Sequence, residues 1–334
     1  MKQLISKLKT KRELLSKLSL PFGMTCFILL GFWGGWWDEF FADSAKSSSQ
    51  AVAAPSIVMD QIKVIFWNNL EKKFQMKAEK LSQGNDNLQV HFEKITKTDV
   101  FSIKDQKFNF TAGWAQLEKF RNLLSFGGGV QIKTDQGVFN SEKATMNYKA
   151  QEISFDQKVD YQANGYLLEA GGMKFRVADK QQNSNEADKM LVYFKNKVKL
   201  VHSEATIEAL SLDYDLKAET GLFYNNVVMN RNVVANEENK SSEPFVLTTN
   251  ELYFENKTKN FEAKGKSQLQ NEKFTGEAEN MKYDDLKQEL LLTKNVHLRK
   301  KVGEEITGDS LKIDLKENDF VMQKNVNINL ELEE

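Results

Sequence analysis

The chain has 334 residues, with 46 Lys and Arg against 47 Asp and Glu and a formal net charge of -1. So even a balance, with no dense basic patch, excludes the electrostatic footprint of a nucleic-acid binder. The single cysteine, Cys26, rules out an intramolecular disulfide and a cysteine-based metal site, so the fold must hold by burial and backbone pairing.

Residues 1–19 are basic, with Lys2, Lys7, Lys9, Lys11, Arg12 and Lys17 diluted by Glu13. The run PFGMTCFILLGFWGGWW at 21–37 then carries no charge. It is roughly 17 residues long, at the short end of the ~17–25 that span a bilayer, and neighbouring residues extend the expected membrane anchor to 20–41. Basic residues before it and Asp38, Glu39 and Asp43 after it orient the N-terminus to the cytoplasm. Trp33, Trp36 and Trp37 fall at its outer end, where indoles favour the headgroup level. A cleaved signal peptide competes, since Ala51-Val52-Ala53 has the small-x-small form, but that site lies too far beyond the apolar run. Residues 42–56 are small and polar, the composition of a flexible tether.

From Ile57 onward the pattern is period two, as in Phe108-Asn109-Phe110, Ile153-Ser154-Phe155, Met173-Lys174-Phe175 and Val326-Asn327-Ile328. Such alternation predicts strands with one wet and one apolar face, and three prolines in the whole chain leave their pairing uninterrupted. A short helix is expected over 114–124, where Leu117, Phe120 and Leu124 share a helical face; strand-turn-strand fits the same letters. The alternating segments also repeat at a step of about 30 residues, the range of stacked repeat architectures. NELYFENKTKNFEAKG, ENMKYDDLKQELLLTKNV and DSLKIDLKENDFVMQKNV are successive copies, and the last two close on Lys-Asn-Val, taken here as the end of a strand. If about eight such units each give one strand to each of two sheets at ~4.8 Å spacing, the body is about 40 Å long.

Catalytic chemistry is sparse. His91, His202 and His297 are far apart and each sits within an alternating segment, without the spacing of a metal site or a general base. Gly127-Gly128-Gly129 is followed by Val130-Gln131 and not by Lys-Ser/Thr, which points to a tight or bulged turn instead of a phosphate loop. Neither an enzyme nor a cofactor is expected.

Two stretches resemble the lipopolysaccharide-transport periplasmic proteins of the OstA-like family, which includes LptC and LptA. The LptC-like part runs from the anchor through Phe74-Gln75-Met76-Lys77-Ala78-Glu79-Lys80-Leu81, Phe108 to Trp114, Leu123 to Val130, Gly137-Val138-Phe139, Ala144-Thr145-Met146 and Asn164 to Met173. From Ala205 onward the units are similar to the LptA type, with Asp309-Ser310-Leu311-Lys312-Ile313 leading to Lys324-Asn325-Val326. The resemblance gives an LptC-like domain at 57–204 and an LptA-like repeat region at 205–334, whereas LptC proteins of the usual kind end after one domain. It implies an all-β open jelly roll, two facing sheets in a V that hold acyl chains between them.

The candidate lipid-facing residues are Phe108, Phe110, Ile153, Phe155, Met173, Phe175, Tyr214, Phe254, Met281, Tyr283, Ile313 and Ile328, all of inward parity. The expected function is an inner-membrane-anchored, periplasmic bridge component. It would take lipopolysaccharide from an inner-membrane ATP-driven (ABC) transporter complex and pass it outward. An LptA-like or outer-membrane translocon protein would dock by strand addition at the edge near 324–332. The alternatives are an anchored β-repeat scaffold or adhesin with a dry core and, third, a β-helix enzyme acting on polysaccharide.

Overall fold

The computed structural model describes residues 57–68, 71–83, 88–103, 106–150, 152–163, 165–176, 190–232, 244–301, 303–317 and 319–329. The expected anchor and tether lie outside them; no described helix is long and apolar enough to cross a membrane.

The LptC-like stretch holds β1 (Ile57–Asn68), β2 (Glu71–Gln83), β3 (Gln89–Ile103), β4 (Gln106–Glu118), β5 (Leu123–Lys133), β6 (Gly137–Asn147), β7 (Glu152–Phe155), β8 (Val159–Ala163), β9 (Tyr166–Ala170) and β10 (Gly172–Arg176). Then follow β11 (Leu191–His202), β12 (Ala205–Asp215), β13 (Thr220–Arg231), β14 (Phe245–Glu255), β15 (Phe261–Gln270), β16 (Phe274–Asp284), β17 (Glu289–Lys300), β18 (Glu305–Asp314), β19 (Asp319–Gln323) and β20 (Asn327–Asn329). All twenty belong to one antiparallel ladder, which continues through β11 and β12 without a break between the two expected regions.

The expected helix at 114–124 is overturned. Leu117 and Leu124 are cross-strand partners of β4 and β5, and Phe120 is exposed on the turn between them. Residues seven apart in a tight hairpin meet as well as they do on a helix, so the spacing could not separate the two.

Each long strand bends near its middle, and the ladder registers shift there. The bend is built from left-handed backbone. Gly128 and Gly129 do this in β5, Asn196 and Lys197 in β11, Asn225 and Asn226 in β13, Gly265 in β15, and Lys294 and Asn295 in β17. Gly and Asn adopt that region at least strain, and the extra residue makes a β-bulge that turns the strand. The Lys-Asn-Val signature is therefore a mid-strand bend, not a strand end. After each pair the next residue returns inward, so Val130, Val198, Val227 and Val296 are buried.

The bends line up into a crease that divides the ladder into two arms. Arm I contains β8, β9 and the half-strands registered with them, such as Leu200 on Leu168 and Met229 on Ile207. Arm II contains β7 and β10, with Phe155 on Met173, then Phe194, Leu212, Phe223 and Leu252 in successive registers. The pairs β7 with β8, β9 with β10 and β19 with β20 are single strands broken at the crease, so the twenty strands make seventeen crossings. At ~4.8 Å per crossing the ladder runs for about 75 Å, roughly twice the expected length. The difference arises because each repeat is a hairpin whose two strands both span the crease, giving each arm two strands.

Candidate functional site

Inward positions on both arms are mostly apolar and buried, forming one core from Met76 to Leu315 that is interrupted by few polar groups, chiefly Arg231 and the hydrogen-bonded Thr249 and Ser267 pair. The arms face each other across this core. Ring centroids of Phe108 and Phe175 lie 5.3 Å apart, those of Phe110 and Phe126 5.7 Å, and those of Phe245 and Tyr283 6.3 Å, each pair with one ring on each arm. Aromatic pairs at such distances attract through edge and offset geometries as well as through burial.

Eleven of the twelve candidate residues point into this interior. Phe108 and Phe110 lie on arm I, while Ile153, Phe155, Met173, Phe175, Tyr214, Phe254, Met281, Tyr283 and Ile313 lie on arm II, all buried. Ile328 is the exception. It faces Ile306 across the β18–β20 pair but is 54% exposed, because no other described strand pairs with β20.

Sequence reasoning missed most of arm I in the later repeats, where Leu200, Ile207, Met229, Leu247 and Leu298 are buried. The reason is the bend. In β12 the inward positions step from 209 to 212, which reverses parity, so alternation followed from one end loses Ile207 on the other arm; in β11 they step from 194 to 198, which keeps parity but interrupts the apolar pattern with three exposed residues. The left-handed Asn and Gly pairs of β5, β11, β13 and β17 mark where each bend falls.

Opposite the crease the strand turns form two rims. On the rim of arm II, Tyr148 N–H donates to Asn122 O, Leu216 to Met190, Asn256 to Glu219 and Leu315 to Gln288; on the rim of arm I, Asn232 donates to Glu204 and Lys301 to Lys273. These turns thus hang on the previous turn of their own rim.

Polar groups gather where the rims meet. Tyr214 Oη donates to Tyr166 Oη at 2.7 Å, and burial pushes both phenols well above the usual tyrosine range. Lys259 Nζ donates to His202 Nε2, and burial first, with the neighbouring Lys259 charge second, lowers the imidazole below its ordinary value. The Arg231 guanidinium, 7% exposed, bonds Asp285 and stacks 4.5 Å from the Tyr283 ring centre. None of these sets has the composition of a reaction centre, and among the described residues no three His, Cys, Asp or Glu groups could hold a metal ion.

The architecture and the sequence matches converge on one class. Residues 24–183 match the model of the lipopolysaccharide-assembly, LptC-related family, and residues 230–319 match that of the LptA/(LptD N-terminal domain) LPS transport proteins, so the chain resembles β-repeat proteins of the lipopolysaccharide-transport type. More narrowly, its first part is similar to the LptC-related family and its later repeats to the LptA type. No curated protein matches it. Among solved structures it is similar to LptH of Pseudomonas aeruginosa, described as the LptA homologous periplasmic component of the conserved lipopolysaccharide transport device. Identity there is 6%, over 50% of this chain and 95% of that one, with a TM-score of 0.23.

Proposed function

We propose that the chain is a membrane-anchored periplasmic carrier arm, which receives lipopolysaccharide from an ATP-driven extractor in the inner membrane and passes it along the interior between its two arms. The observation that supports this reading is the long apolar core shared by facing arms, in a chain with two stretches that match lipopolysaccharide-transport families. An acyl chain of ~12–14 carbons costs about 10 kcal/mol to expose to water, so a lipid with several chains needs continuous apolar cover to cross an aqueous compartment. Nothing in the site couples to an energy source, so the driving work belongs to a partner. Delivery outward uses the edge at β19 and β20, which among the described residues pair only with β18 and leave Val321 and Ile328 more than half exposed. A partner strand added there would extend both arms at once.

A second reading is favoured by one specific observation. The interior is closed, with inward side chains almost fully buried and rings touching across the arms, as in a scaffold with a dry core. A photo-crosslinking residue placed at Phe155, Phe175 or Phe254 in cells separates the two. The carrier yields lipopolysaccharide adducts at these positions, whereas adducts to protein alone at every one of them would establish the scaffold.

A further inference from the structure

Three boundaries enclose the interior, and they are not equally strong. At the crease the two arms are one covalent chain, and within each rim successive turns are tied by backbone hydrogen bonds. Across the mouth, the contacts are made by side chains. Phe108 meets Phe175, Tyr166 meets Tyr214, His202 meets Lys259, Arg231 meets Asp285 and Tyr283, and the Lys300 ammonium sits 4.5 Å over the Phe320 ring. In each case the first residue belongs to arm I and the second to arm II, and the partners are two to four strands apart in the ladder. The series changes character along the chain, from an aromatic pair near the N-terminal end to ionic and cation-π pairs in the later repeats.

An amphiphile with several acyl chains and an anionic headgroup cannot thread the closed ladder end-on, because its charged part would have to travel through apolar surroundings with no partners. It can lie with its chains between the arms only if the headgroup stays in water at the mouth. Each cross-rim contact then stands in the path of the junction between headgroup and chains.

We infer that the mouth between the rims is the lateral portal of the interior and that His202–Lys259 and Arg231–Asp285 are latches which must part for such a lipid to enter or advance; this rests on the carrier reading above. Anionic headgroup oxygens would compete for Lys259 and Arg231, so the lipid itself supplies the groups that replace Asp285 and His202 as their partners. The latches are thus suited to open in turn ahead of a loaded headgroup and to close behind it.

The test uses the full chain in cells, with Cys26→Ser to remove its only other thiol, a photo-crosslinker at Phe254, and His202→Cys with Lys259→Cys stapled by a short bismaleimide. Both positions are partly exposed and open to the reagent. Glu204→Cys with Asn232→Cys, stapled along one rim, is the control, and Arg231→Cys with Asp285→Cys is a second cross-rim pair should the first fail to fold. Cross-rim stapling is expected to reduce lipopolysaccharide adducts at Phe254 at least tenfold, while the same-rim staple leaves them unchanged. Undiminished adducts in the cross-rim staple overturn the portal and leave the carrier reading standing. Equal loss in both staples also overturns it, because the effect then does not depend on closing the mouth. No lipid adduct in the unstapled protein overturns the carrier reading itself, and the portal with it.

Discussion

Arg231 is the charged residue most deeply placed among the groups at the mouth, and its environment dictates an asymmetry between two substitutions. Its guanidinium is held by the Asp285 carboxylate and by the face of Tyr283, so removing the carboxylate strands a buried cation. Asp285→Ala is expected to lower the stability of the protein by about 3 kcal/mol, the cost of leaving one member of a buried pair uncompensated. Arg231→Met removes the charge together with the need for its partner, and its aliphatic chain still covers Tyr283, so the loss should stay near 1 kcal/mol. Urea unfolding of both variants decides the matter; equal losses would mean that the pair is held by packing and not by charge. The carboxyl end of this argument was not legible in the sequence. Asp284-Asp285 stands in a turn, where charge is usually solvated, and only the twist of one arm against the other brings that turn over Arg231 from 54 positions away.

At the level of the single element, the left-handed pairs decide which residues face inward on either side of a bend. Asn225 and Asn226 have φ of 63° and 54° in the middle of β13, between buried Phe223 and buried Val227. A β-branched residue in that conformation carries roughly 1–2 kcal/mol of strain, so Asn225→Val should destabilise by about that amount, whereas Asn225→Gly should be nearly neutral. Thermal unfolding of the two variants side by side tests this, and a stable Val variant would show that the bend tolerates a different backbone. The strands themselves were legible from alternation alone, and the inward parity of Phe155, Phe175 and Phe254 followed directly from it. The Gly127-Gly128-Gly129 run reads as a tight or bulged turn, and Gly128 and Gly129 form a bulge at the register shift inside β5 instead of a turn between strands. The bend did not emerge. Alternation is a local signal, and a two-residue interruption of Asn and Lys has the same composition as the turn that ends a strand. So the repeat was recognised at its true step of about 30 residues while its two strands were folded into one per arm.

Across the whole molecule, each crossing touches only the crossings beside it and those it faces on the other arm, which makes the ladder quasi-one-dimensional. Stability in such a body is a sum of local terms, so damage should remain near where it is made. Leu252, fully buried in β14 between Phe223 and Ala263, sits at an interior crossing; Ile328, in β20, is half exposed at the end. Leu252→Ala leaves a cavity that neighbours on three sides cannot fill, with an expected cost of 2–5 kcal/mol, roughly the range for buried leucines. Ile328→Ala should change stability by less than about 0.5 kcal/mol. The sharper expectation concerns where the loss is felt. Hydrogen exchange followed along the chain should quicken in β13 to β15 of the Leu252 variant and remain near the parent rate in β4 to β6, six to eight crossings from β14. Uniform acceleration from β1 to β20 would show that the two family-like regions unfold as one unit, and an arm that opens at one latch while staying shut at the next would then have no physical basis.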